Sequence, residues 1–121
     1  MNETSAGDPS RTRSNVSFMR LVDDVVPAIS QSELAVAVGA SERTVQNWSS
    51  GRTRPRGDTV DRVLDVVHLV TELREAYTDE GIQIWLRSRN RNLGGRRPLD
   101  MLRDGHVEEV LDDVQRVVGG M

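Results

Sequence analysis

Apolar residues recur at three- and four-residue steps along most of the chain and nowhere alternate strictly by twos, which predicts helices throughout and no strand. Over 16–26, Phe18, Leu21, Val22 and Val25 define a first helix that ends near Pro27. Ser30 and Glu33 have the spacing of a capping box. Leu34, Ala35 and Val38 then face one way, and Gly39 stops that short helix. Ser41 caps a second short helix over 42–49, with Val45 and Trp48 inward, ended by Gly51. Asp58 is the expected cap of a long helix over 59–77. Its stripe of Val60, Val63, Leu64, Val67, Val70 and Leu73 is widened by Val66 and Leu69, so it should touch neighbours on more than one side. The tetrapeptide from Thr78 to Gly81 reads as a turn. A short helix follows, with Ile82, Trp85 and Leu86, ending near Ser88. Pro98 suits the first turn of another over 99–103. Gly105 breaks that helix, and 107–118 is a last amphipathic helix built on Val107, Val110, Leu111, Val114 and Val118. Residues 1–15 lack periodicity and are expected to be a disordered arm, and 119–121 a flexible end.

Composition narrows the class. With 36% hydrophobic and 3% aromatic residues in 121, the core must be a modest one of Val, Leu, Ile and Ala. The absence of Cys excludes disulfides and thiolate metal sites. His68 and His106 lack ligand spacing and have no evident acid or nucleophile partner. No catalytic, metal or cofactor residue is therefore assigned, and an enzyme is not expected. No apolar run approaches the ~18 residues of a membrane span. Residues 1–14 are polar, unlike a secretory leader. The expected compartment is the cytoplasm.

The net charge of −3 opposes nucleic acid as a partner, but the charge is unevenly spread. All 16 basic residues are Arg, whose planar fork suits phosphates and carboxylates. Between Glu42 and Arg56 there are four arginines and one acid, a local balance of +3. Two short helices joined at Gly39 have the form of a helix-turn-helix, whose second helix enters a DNA major groove. The stretch ELAVAVGASERTVQNWSSGRTRP resembles the Xre or phage-repressor type. That resemblance implies base contacts from Glu42, Arg43, Gln46 and Asn47, with Ser41 and Thr44 nearer phosphates. The chemistry is suitable: Arg pairs with guanine, Gln or Asn with adenine, and Glu accepts from cytosine. Arg52, Arg54 and Arg56 at the helix exit suit phosphate anchoring. The competing reading is a scaffold that no longer binds DNA, since Glu42 repels phosphate unless it meets cytosine. Specific sites are read as paired half-sites, so DNA binding implies a dimer or larger complex.

Beyond the arginine loop, WLRSRNRNLGGRRPLDMLRDGHVEEVLDDVQRV resembles the toxin-binding domain of the Xre/MbcA/ParS-like antitoxins. The carrying residues are Trp85-Leu86, Asn90, Leu93-Gly94-Gly95, Pro98-Leu99-Asp100, Leu102 and Gly105. The resemblance implies an all-α chain, an N-terminal Xre-type helix-turn-helix packed with a C-terminal helical toxin-binding domain. Its divisions are an arm over 1–15, the helix-turn-helix over 16–57 and the toxin-binding part over 58–121. It further implies an antitoxin that neutralises a RES-domain toxin degrading NAD, by covering the entrance to its active site, and that represses its own promoter. Operator DNA, the cognate toxin and a homodimer or toxin–antitoxin hetero-oligomer are the implied partners.

On this reading the toxin-binding residues are Arg87, Arg89, Arg91, Asn92, Arg96 and Arg97 in the connector. To these the resemblance adds the tail Val117, Val118, Gly119, Gly120 and Met121 as a plug near the toxin pocket. The arginines stand in a stretch without acids and suit a partner surface; a phosphate patch or a solvated loop are the other readings. Trp85 is expected in the core rather than as an interface anchor. His106 is expected as a cap or surface residue. Of the six acids between Asp100 and Asp113, Glu109, Asp112 and Asp113 are expected on the solvated face of the last helix, although such charges could instead steer a basic toxin pocket. The alternative function is a stand-alone helix-turn-helix regulator whose C-terminal part dimerises.

Overall fold

The computed structural model describes residues 9–119; positions 1–8 of the expected arm, and Gly120 and Met121, lie outside the described residues. Seven helices follow in order: α1 (Pro9–Val25), α2 (Gln31–Val38), α3 (Glu42–Ser49), α4 (Asp58–Leu73), α5 (Asp79–Arg87), α6 (Pro98–Arg103) and α7 (Val107–Gly119). A single 3-10 turn, Arg91–Leu93, stands between α5 and α6. Among the described residues the only extended pairing is one antiparallel bridge, Asn90 with Arg96.

The helix boundaries show which local signals prevailed. Ser30 forms the expected capping box: its hydroxyl accepts from Glu33 N at 3.1 Å, and its own N donates to Glu33 Oε1 at 3.3 Å. Ser41 likewise accepts from Thr44 N at 3.1 Å and starts α3. Four boundaries differ from expectation, one of them the end of α4, which stops at Leu73 with Arg74 as its cap rather than near Tyr77. Helix α1 begins at Pro9, seven residues before Val16, so 9–15 is helical rather than an irregular arm. Proline suits the first helical position, and each residue added to an anchored helix gains a hydrogen bond without a new nucleus. Gly57, at φ 60°, rather than Asp58 is the cap of α4, and Asp58 becomes the first helical residue. There its charge, in the first turn, still complements the positive end of the helix. Thr78 is a cap and not part of a turn, accepting from Gly81 N at 3.1 Å, so α5 starts at Asp79.

One core runs from Val22 of α1 to Val114 of α7. Helix α2 packs on α3 and on α6, α4 packs on α1, α2 and α7, and α5 packs on α6. The helix-turn-helix and the C-terminal helices therefore share their apolar interior. Val45, Trp48, Leu69, Leu86, Leu102 and Val110 are all buried in it, and Trp85 packs partly buried against it.

Arg62 of α4 fastens this arrangement at a polar point. Its Nη2 donates to the carbonyl of Ala37 near the end of α2 at 2.9 Å, and to those of Leu102 and Arg103 at the end of α6, at 2.9 and 3.2 Å. A cation at two helix C-termini meets carbonyls that lack intrahelical donors. Gly39 lies beside it at φ 73°, and a Cβ there would stand 2.7 Å from Arg62 Nη1. The left-handed backbone requires glycine at this turn, and a Cβ there would in addition displace the end of the Arg62 side chain.

Candidate functional site

The first candidate surface is built on α3. Its short amphipathic sequence buries Val45 and Trp48 and turns Glu42, Arg43 and Gln46 outward, with Asn47 half-buried. Ser41 and Thr44 hydroxyls lie 2.8 Å apart and bond each other as well as capping the helix. They are therefore committed to the helix start. At the exit, the carbonyl of Asn47 accepts from Arg52 N at 2.9 Å, Thr53 N at 3.3 Å and Ser50 Oγ at 3.1 Å, which folds the following loop back over the helix end.

This turn brings the predicted residues together. Arg43, Gln46, Asn47, Ser50 and Arg52 line one open cleft of about 210 Å³. Arg52, Arg54 and Arg56, with Thr53 and Asn15, line a second of about 420 Å³. Arg52 belongs to both, so base-reading and phosphate-anchoring candidates form a continuous basic surface. Among the described residues no carboxylate pairs with Arg43, Arg52, Arg54 or Arg56 within 4.0 Å. Glu42 sits at the exposed start of the helix. Asn15 of α1 carries no sequence signal for this surface; it joins it because α1 starts early and Asn15 lines the cleft of the arginine loop. Ser49 Oγ donates to Asp23 Oδ1 at 2.6 Å and ties α3 to the same helix.

The second candidate surface is the arginine connector and the end of α7. Although no acid stands within the connector's sequence, the fold supplies several from elsewhere. Arg87 pairs through Nε and Nη2 with both oxygens of Glu33. The Arg87 guanidinium holds the Glu33 carboxyl below its ordinary 4.5, against partial burial, which acts the other way. Arg96 pairs with Asp104 at 2.6 Å, and Arg97 approaches Asp100 at 4.0 Å. Asp104 is held below its ordinary 3.8 by Arg103 first and by Arg96. Arg89 Nη1 donates to the Gly95 carbonyl at 3.2 Å, and Arg91 and Asn92 are exposed. Arg89 and Arg91 are thus the connector arginines with no carboxylate within 4.0 Å among the described residues.

The last helix continues through Gly119, so Val117, Val118 and Gly119 form its final turn rather than an irregular tail. Val118 packs partly against the core. Gly120 and Met121 lie outside the described residues. One acid departs from expectation: Asp113 is fully buried, while Glu109 and Asp112 are exposed as read from the sequence. Its site on the helix lies between the core positions Val110 and Val114, and Asn90 Nδ2 donates to its Oδ2 at 2.8 Å. That partner, 23 residues away, lay outside any local pattern. His106 is half-exposed beside Glu109, with Nδ1 at 3.2 Å from Oε1. Among the described residues no group of three or more His, Asp or Glu is placed to hold a metal ion. Nor is any helix among them long and apolar enough to cross a membrane.

Comparison with known proteins identifies the C-terminal part directly. Residues 71–121 match the family described as the antitoxin Xre/MbcA/ParS C-terminal toxin-binding domain. A probable mycobacterial cidal antitoxin of Mycobacterium tuberculosis is 31% identical over 106 residues, 87% of this chain and 90% of that one. The mycobacterial cidal antitoxin MbcA of Mycobacterium bovis is 28% identical over 93 residues, 77% of this chain and 82% of the other. Among solved structures, a chain of the M. tuberculosis MbcT-MbcA toxin-antitoxin complex superposes with a TM-score of 0.73 at 26% identity, covering 85% of this chain and 95% of that chain. The similarity spans the helix-turn-helix as well as the C-terminal helices, and this chain belongs to the Xre/MbcA/ParS-like antitoxin family, the antitoxins of toxin–antitoxin systems.

Proposed function

We propose that this antitoxin neutralises a RES-domain toxin that degrades NAD, and that it represses its own promoter through the helix-turn-helix. The chemistry on NAD belongs to the toxin; this chain acts by occlusion. The observation that carries the toxin half is the match of residues 71–121 to a toxin-binding domain, supported by the likeness to a chain of a toxin–antitoxin complex. The connector arginines, with Asn92, and the last turn of α7 with the residues after it form the contact. Arg89 and Arg91, with no carboxylate within 4.0 Å among the described residues, are the members best placed to pair with toxin acids. Those already paired, Arg87, Arg96 and Arg97, shape the surface and give their remaining donors to the partner.

The DNA half rests on the exposed face of α3 and the basic clefts beside it. On this reading the exposed Arg43 and Gln46 and the half-buried Asn47 contact base edges, and Arg52, Arg54 and Arg56, which line the adjoining cleft, contact the phosphate backbone. Glu42 selects cytosine or rejects other bases. Ser41 and Thr44, whose hydroxyls bond each other, contribute to phosphate contact through the helix start more than through free side chains. Two copies, in a dimer or a toxin-bound assembly in the cytoplasm, present two such faces to an operator.

The test is whether the adjacent reading frame encodes a RES-domain enzyme, followed by co-expression of the two proteins. Co-purification and restored growth are expected. Failure of both removes the toxin assignment and leaves a DNA-binding regulator as the remaining reading.

A further inference from the structure

The two stretches assigned to the toxin face, the arginine loop and the end of α7, are separate in sequence. Asn90 organises the loop. Its backbone N donates to the Arg96 carbonyl at 3.0 Å, and its own carbonyl accepts from Leu93 N at 3.0 Å and Gly95 N at 2.9 Å. Its side-chain Oδ1 accepts from Asn92 N at 2.9 Å. The remaining group, Nδ2, donates to Asp113 on α7 at 2.8 Å. The amide orientation follows from the chemistry, since a carboxylate needs a donor and the Asn92 N–H needs an acceptor.

Asp113 is 0% exposed, and its Oδ1 has no hydrogen-bond partner among the described residues. The nearest cation, Arg116 Nη2, is 3.6 Å away, beyond hydrogen-bond reach. An apolar side chain would suit this position between Val110 and Val114 better on burial alone. A buried carboxylate retained on one directional partner fixes geometry more than it adds stability. We propose that Asn90 and Asp113 are a positioning pair that locks the arginine loop onto α7, so that Arg89, Arg91 and the last helical turn meet the toxin as one surface. The proposal rests on the toxin-binding reading above.

An isosteric swap tests it. N90D sets two carboxylates against each other. Adding D113N restores the bond with its polarity reversed, because an aspartate at 90 still accepts from Asn92 N and now accepts from the new amide. Two quantities are measured: binding to the co-expressed RES-domain toxin, and the rate of trypsin cleavage after Arg91 and Arg96. N90D is expected to weaken binding and speed loop cleavage by about tenfold each, and the double variant to return within about threefold of wild type. N90A removes the donor without adding charge and serves if N90D does not fold. Loop cleavage in N90D at the wild-type rate, or a double variant no better than N90D, overturns the pair. The cleavage arm needs no toxin, so a wild-type chain that binds none overturns the underlying toxin reading, independently of the pair.

Discussion

Arg87 on α5 grips, with two nitrogens, the same Glu33 carboxylate that closes the capping box at the start of α2. One side chain thus serves a local signal and a contact 54 residues away. Removing the Glu33 side chain loses the carboxylate half of the box together with the distant contact, whereas removing Arg87 leaves the box intact. Glu33→Ala is expected to destabilise more than Arg87→Ala, because it also loses the bonds from Ser30 N and Ser30 Oγ to the carboxylate, while the bond from the backbone N of residue 33 to Ser30 Oγ survives in both. Urea unfolding of the two variants checks the order, and equal midpoints would contradict it.

The same pair gives a pH dependence. Glu33 is held below its ordinary 4.5 in the folded chain, by Arg87 first. A depressed carboxyl binds fewer protons folded than unfolded, so its stabilisation is complete well above pH 4.5. It is lost as the pH falls below that value through the folded pKa. Asp104 acts in the same sense at lower pH, below its ordinary 3.8. Thermal midpoints measured from pH 7 to pH 3 are expected to fall through the acid range, and Glu33→Gln to flatten the upper part of that decline.

Arg43 separates the two proposed duties. It is exposed on α3 and lines the cleft with Gln46 and Asn47, remote in sequence from the connector. Arg43→Ala is expected to weaken promoter binding by about 1–3 kcal/mol and to leave toxin neutralisation unchanged. Arg54→Ala should instead weaken all sequences similarly and lower the salt slope by about one. Fluorescence anisotropy across salt concentrations distinguishes them. Identical titrations for Arg43→Ala and wild type would take Arg43 off the reading face.

Gly39 offers a test of packing at the turn. Gly39→Ala meets a left-handed backbone and Arg62 Nη1 at 2.7 Å. The conformational part alone costs about 1–2 kcal/mol. Arg62→Ala on that background removes the clash but not the backbone strain, and also loses the bonds to Ala37, Leu102 and Arg103. The two changes are therefore expected to be non-additive in chemical denaturation, the double variant being less destabilised than the sum.

The end of the chain is best tested by a cut that spares the core. Val118 packs against it, so deleting from Val117 onward removes packing along with any plug. Deleting only 119–121 should keep the thermal midpoint and reduce neutralisation in the growth assay. Full protection by that truncated chain would dismiss the plug.

What could be read from sequence follows the range of the interactions. The Ser30–Glu33 box, the Ser41 cap and the Gly39 turn are formed by residues within a few positions of one another, and each appears as expected. The buried Val45 and Trp48 follow from helical periodicity. The connector looked like a free run of cations because Glu33, Asp100 and Asp104 reach it only through tertiary packing. Asp113 looked solvated because its charge outweighed its place in the apolar repeat, and Asn90 is invisible from α7. The early start of α1 carries no apolar signal, since it propagates from a helix anchored farther on.

Helix α2 is held near its start by Arg87 and near its end by Arg62, both from the C-terminal part of the chain. Loosening α2 breaks both contacts, which couples its opening to those helices. A cellular protease that pulls on either part therefore meets a single barrier. The surfaces proposed for DNA and for toxin are therefore expected to be lost together when the chain is degraded.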